Sequence, residues 1–159
     1  MKDLWPEDIG RSLVKPPKVI LEEQGSILAS RTTGIVQAVV DVLDNSAYKQ
    51  FYGKVIGEED TEFLFRYSLY AAGLSYRTPI ILISHSIALY PVHIFIDGGA
   101  EDERRYTDAG FETHIYFMGD QESVAATAES AEDFERALAI AFSNRKVGKI
   151  INSLISQSV

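Results

Sequence analysis

The sequence predicts an α+β fold: an N-terminal helix, a mainly antiparallel sheet of about five strands, and a C-terminal helix or helix pair packed on one face. Three observations carry this expectation. The run 77–97, RTPIILISHSIALYPVHIFID, is rich in Ile, Leu and Val and is broken at Tyr90-Pro91, so it reads as two buried neighbouring strands. Residues 36–42 and 63–69 alternate apolar and polar with a period of two. Helical spacing is confined to the two ends of the chain.

Taken in order, residues 1–16 read as an irregular arm bracketed by Trp5-Pro6 and Pro16-Pro17, with Trp5 docking on the body. Pro17 suits the first turn of a helix over 17–32, where its missing N–H is not needed. That helix carries Ile20, Ile27 and Leu28 on one face, has Glu22 and Glu23 early, and ends at Gly34. A strand follows over 35–43, with Val36, Ala38, Val40 and Val42 on one side. Asp44-Asn45-Ser46 reads as a turn, and 46–60 as a longer irregular loop ending in Glu58-Glu59-Asp60. A half-buried strand over 61–72 lines up Phe63, Phe65, Tyr67 and Leu69. Strands over 79–87 and 92–96 come next, with Pro91 marking a bend or an edge. Residues 97–108 read as an acidic surface loop, 113–118 as a fifth strand and 119–129 as a small polar loop. Ser130-Ala131-Glu132-Asp133 resembles a capping box. It opens a helix with Phe134, Leu138, Ala141 and Phe142 on one face, and Ser143-Asn144 is the expected break. Val147, Ile151, Leu154 and Ile155 continue the stripe.

A chain of 159 residues fits one domain, 1–159, and at that size a core forms without covalent staples. There are no cysteines, which removes disulfides, thiolate metal sites and cysteine nucleophiles and fits a reducing, cytoplasmic setting. MKDLWPEDIG has no apolar core of a signal peptide, and no apolar run is long enough to span a bilayer. The net charge of −8 is unevenly spread. Residues 35–135 hold 18 acidic and six basic side chains, whereas 136–159 hold four basic and no acidic ones. An acidic body argues against nucleic acid and anionic membranes as partners and for either plain solubility, a basic protein partner, or mimicry of nucleic acid.

The segments WPEDI (5–9), PPKVILEEQGSIL (16–28), TTGIVQAVV (32–40) and ALYPVHI (88–94) resemble, in this order, a family of small bacterial proteins of unknown function. The resemblance covers the front two-thirds of the chain. It implies a bacterial origin and a shared fold, and brings no activity, cofactor or site with it.

Nucleotide-binding glycine motifs, HExxH, GxSxG and EF-hand spacings are all missing. His85 and His93 stand on neighbouring strands and, with Asp97, have the donor types of a nitrogen–oxygen metal site. His85, however, shares parity with Ile81, Ile83 and Ile87, which favours a core imidazole. Ser84 and Ser86 flank it but point to the opposite face, so neither forms a nucleophile–base pair with it. A metal-dependent nuclease would use Asp97 at one strand end with Glu112 and His114 opening the next, helped by Glu22 or Glu23. His114 then stands where such sites carry lysine. Arg104 and Arg105 are the only adjacent basic pair in the acidic stretch. They are expected to pair locally with residues 101–103 or to hold an anion.

The reading that follows is a non-catalytic binding protein without metal or cofactor. It is immunity- or antitoxin-like, with an acidic face for a basic protein partner. The candidate binding residues are Glu58, Glu59, Asp60, Tyr90, His93, Arg104 and Arg105. A homodimer through 145–159 is expected from the opposed charges. The alternatives are the nuclease and a small-ligand sensor with an apolar pocket near Tyr67, Tyr70, His85 and Tyr90.

Overall fold

The structure, a computed structural model, describes residues 1–10, 12–58 and 61–158. It is the α+β fold expected, with an N-terminal helix and C-terminal helices. The sheet has six strands rather than five, in the order β1-β2-β3-β4-β6-β5, and every neighbouring pair is antiparallel. The strands are β1 (Gln37–Val42), β2 (Phe63–Ala71), β3 (Tyr76–His85), β4 (Val92–Asp97), β5 (Glu112–Met118) and β6 (Gln121–Ala128). The helices are α1 (Pro17–Arg31), α2 (Ser46–Ile56), α3 (Ala100–Asp108), α4 (Ala131–Phe142) and α5 (Arg145–Gln157). None of them is long and apolar enough to cross a membrane.

Three segments expected to be loops are regular structure. The first is α2: Asn45 caps it, its side chain accepting from the Ala47 N–H at 2.8 Å, and Gly57 closes it in the left-handed region at φ 79°. The turn signal at 44–46 was a helix start. The second is α3, where the Asp102 carboxylate accepts from the Gly99 N–H at 3.1 Å and three acids fill the first turn. The third is β6. Its VAATA centre is mostly alanine, with no aromatic residue, and helices press on both of its faces: Ala126 and Ala128 belong to the main core and Ala125 to the cluster on the other face. Because β6 inserts between β4 and β5, the β4–α3–β5 connection skips one strand position, which the chain then fills by doubling back.

Tyr67, Ile83, Ile94, Val124 and Phe134 are buried together on one face of the sheet, along with Ile20 and Leu21 of α1 and Leu138 of α4. Val147 and Leu154 of α5 join Val36, Leu69 and Ala71 in a second cluster. Of the stripe over 147–155, Val147 and Leu154 are buried against Val36 and Leu69, while Ile151 and Ile155 are half-buried. Ser143-Asn144 does break the C-terminal segment into two helices, and Asn144 caps the second by accepting from the Lys146 N–H at 2.8 Å.

Helices are not confined to one face. Tyr52 of α2 packs with Leu64, Phe95 and Ala125 on the opposite side. Two smaller expectations also change. α1 buries Ile20 and Leu21, while Ile27 is half exposed. Trp5 is 75% exposed and does not dock.

Candidate functional site

Strand register builds a polar row across one end of the sheet. Leu64 pairs with Ser84, Ser84 with His93, His93 with Thr127, and Thr127 with Glu112. Directly opposed residues share a face, and this row lies on the side that α2 covers. The adjoining row, Phe63, His85, Val92 and Ala128, points the other way. The two histidines are thus on neighbouring strands and opposite faces. Asp97 is four residues beyond His93, so the expected His85–His93–Asp97 donor set does not come together. No cluster of three or more His, Asp or Glu side chains suited to a metal ion exists among the described residues.

His85 is a core residue. Its ring stacks on Phe63 at 5.2 Å and Phe65 at 5.7 Å, and Nδ1 donates to the Ser86 carbonyl at 2.7 Å. Burial pushes its pKa below the usual histidine value, opposed by the Ser86 carbonyl and the charge of Glu62.

His93 is placed differently. It is only 5% exposed, yet carboxylates surround it. Nδ1 lies 3.0 Å from Thr127 Oγ1, and Nε2 lies 3.6 Å from Glu58 Oε1. The second distance is too long for a hydrogen bond and short enough for Coulombic attraction. A carboxylate only accepts, so the compatible tautomer carries its proton on Nε2, with the Thr127 hydroxyl donating to Nδ1. Burial lowers the pKa of His93, while Glu58, Glu129 and Glu112 pull it back up. Two more buried hydroxyls near this end, Ser84 Oγ in the row itself and Thr61 Oγ1 just before β2, have no hydrogen-bond partner among the described residues.

Around this buried row stands an exposed acidic rim: Glu58 after α2, Glu62 before β2, Glu112 opening β5 and Glu129 closing β6. Among the described residues, none of these four carboxylates has a lysine or arginine within ion-pair distance. Lys49 reaches this end, but it donates to the Glu62 backbone carbonyl at 3.1 Å and sits 3.9 Å from Asp44. Glu59 and Asp60, expected in the same face, lie outside the described residues. Glu62, Thr127 and Glu129 were not foreseen. Thr127 and Glu129 could not be placed from a segment read as a loop, and Glu62 falls outside the Phe63–Leu69 alternation that marks its strand.

The remaining sequence candidates are scattered. The Tyr90 hydroxyl donates to the Lys15 carbonyl at 2.8 Å, tying the end of the arm to the body. Arg104 is exposed. Arg105 donates to Ser143 Oγ at 2.5 Å, and neither arginine forms the local ion pairs expected with 101–103. For the nuclease set, Asp97 pairs with Ser123 while Glu112 pairs with Thr127, four residues further along β6. That separation is about 13 Å. His114 pairs with Ala125 between them, Glu22 pairs with Lys18 within α1, and Glu23 pairs with Lys15 of the arm. A cavity of about 190 Å³ beneath α1 is lined by Tyr67, Leu69 and Phe142, but not by Tyr70, His85 or Tyr90. No protein-family model matches this chain, and neither a curated protein nor a solved structure matches it.

Proposed function

We propose that this chain is a binding module whose acidic sheet end docks a basic protein, in the manner of an immunity or antitoxin-like protein covering its target. One observation carries this reading: Glu58, Glu62, Glu112 and Glu129 converge from four separate segments onto one end of the sheet, with no lysine or arginine to neutralise them among the described residues. Uncompensated charge gathered by four elements raises the local potential and steers oppositely charged surfaces towards it. The backbone beneath is held by strand pairing, so the carboxylates need little ordering on binding. His93, buried behind Glu58, turns its neutral Nε2–H towards that carboxylate and so leaves its charge uncompensated, as a lysine would not.

The experiment is a titration with a lysine-rich peptide, read by fluorescence anisotropy at two salt concentrations. The pole variant reverses Glu58, Glu112 and Glu129 to lysine. The control reverses Asp3, Asp44 and Asp120, giving the same net charge elsewhere. The pole variant is expected to weaken binding at least tenfold and flatten its salt dependence while the control binds nearly as the parent. Equal losses in both would reduce the interaction to net charge and reject a defined face.

A further inference from the structure

The cavity of about 190 Å³ beneath α1 lies on the face of the sheet opposite the row that α2 covers, so it is independent of the acidic end. Tyr67 and Leu69 of β2, Ile80 of β3, Phe142 of α4 and Val147 and Ile151 of α5 line it. α1 supplies the other side with Gln24, Ile27, Leu28 and Arg31. Arg31 is exposed and Ile27 is 49% exposed, so the cavity opens to solvent beside them. Packed interiors rarely leave a gap of this size, and about 150 Å³ is enough to take a benzene ring.

The chemistry of the lining is one-sided. The chain carries a net charge of −8, yet no carboxylate lines this cavity. Its one ionic group is Arg31, which has no ion-pair partner among the described residues. The acids of α1 do not supply one, because Glu22 and Glu23 are engaged by Lys18 and Lys15. Nor is the guanidinium needed to close the helix. The carbonyls of Leu28, Ala29 and Ser30 already accept from the N–H groups of Thr32, Gly34 and Thr33. Gln24 stands two turns before Arg31 on the same face of α1, about 10 Å along the axis, with Ile27 and Leu28 between them. An occupant lying along α1 therefore meets apolar side chains over most of its length and a cation at one end only.

We infer that this cavity binds a small hydrophobic carboxylate of about one ring in size, its apolar body against Tyr67 and Leu69 and its carboxylate on the Arg31 guanidinium. Burial of the apolar body supplies the affinity. The planar fork of Arg31 matches a carboxylate with two parallel N–H donors and selects the anion over a neutral molecule of the same shape.

The test is a titration of the full chain with phenylacetate and with neutral 2-phenylethanol, followed on the methyl NMR signals. The methyls of Ile27, Leu28, Leu69, Ile80, Val147 and Ile151 should move together, and phenylacetate should bind about fivefold tighter than 2-phenylethanol. Arg31→Gln, a change at an exposed position, should abolish that preference and leave 2-phenylethanol bound as before. Ile151→Phe should fill the cavity and remove the shifts caused by both probes. Lining methyls that stay unmoved at about 10 mM phenylacetate overturn the proposal. So does equal affinity for the two probes, or a preference for phenylacetate that survives in Arg31→Gln.

Discussion

Two imidazoles stand back to back across one sheet, and the same solvent exclusion acts on both. His85 and His93 are each buried, and burial is the largest influence lowering each pKa. An unfolded histidine titrates near 6.5, so below that pH the unfolded chain binds protons that the folded chain resists. Stability is then unaffected above about pH 7.5 and falls as the pH drops through 6.5. Glu62 near His85, and Glu58, Glu129 and Glu112 around His93, soften the effect without reversing it. Urea midpoints at pH 7.5 and 5.5 measure this loss in a window above the titration of ordinary carboxylates. His85→Phe keeps the stack on Phe63 and Phe65 and removes one of the two titrations, so its midpoint should fall less steeply. An unchanged slope would mean that His85 titrates alike in both states.

Gly25 lets α1 pack tightly against β1. A Cβ on Gly25 would sit 3.3 Å from both the Ala38 carbonyl and the Tyr67 hydroxyl, and that hydroxyl donates to the Leu21 carbonyl at 2.9 Å. Tyr67→Phe should cost about 1 kcal/mol by removing one buried hydrogen bond. Gly25→Val adds branched bulk where even one carbon is tight, and should cost about 2–3 kcal/mol by lifting α1 off β1. Chemical denaturation of the two variants ranks the effects, and a Gly25→Val protein as stable as the parent would show that α1 can slide.

At the scale of elements, what could be read from the sequence follows from what each element buries. β2, β3 and β4 are built from Phe, Tyr, Ile, Leu and Val, and their alternation or apolarity locates them within a few residues. β6 is buried through alanines, whose small size accommodates helices on both sides but carries little strand signal. α2 and α3 were obscured because Asn45, Gly99 and the acids behind them signal turns as readily as helix starts. The site divides along the same line. His93 and Glu58 stood out in the sequence, but their convergence with Thr127 and Glu129 depended on the strand that was missed. Among the helices, α2 is the one that packs on its face of the sheet, with the Tyr52 ring 4.5 Å from Phe95. It is therefore expected to open as a unit before the rest of the fold. Asn45→Ala should remove about 1 kcal/mol of capping energy, and Tyr52→Ala about 3 kcal/mol of packing. Amide exchange should accelerate along α2 in both variants while α4 keeps its protection. Equal acceleration in α4 would mean that the two helices unfold together.

For the whole molecule the governing quantity is the placement of charge. The excess of acids is not spread as a uniform coat. Four carboxylates gather at one end of the sheet, whereas the three basic residues of α5 share their hollow with Asp97, Asp102 and Glu122. Repulsion among carboxylates on a shared rim opposes folding, because unfolding lets them separate. Salt screens that repulsion: the Debye length shrinks from ~30 Å at 0.01 M to ~10 Å at 0.1 M and ~3 Å at 1 M. Stability should therefore rise as salt increases from 0.01 M to 0.3 M, the reverse of what a fold held by surface ion pairs would show. Glu129→Lys should raise the urea midpoint at 0.01 M by an amount equivalent to several tenths of a kcal/mol, and that advantage should shrink towards zero at 1 M. If the parent loses stability as salt is added, attraction between unlike charges outweighs repulsion within the rim, and its carboxylates would then be structurally paired and not a free face.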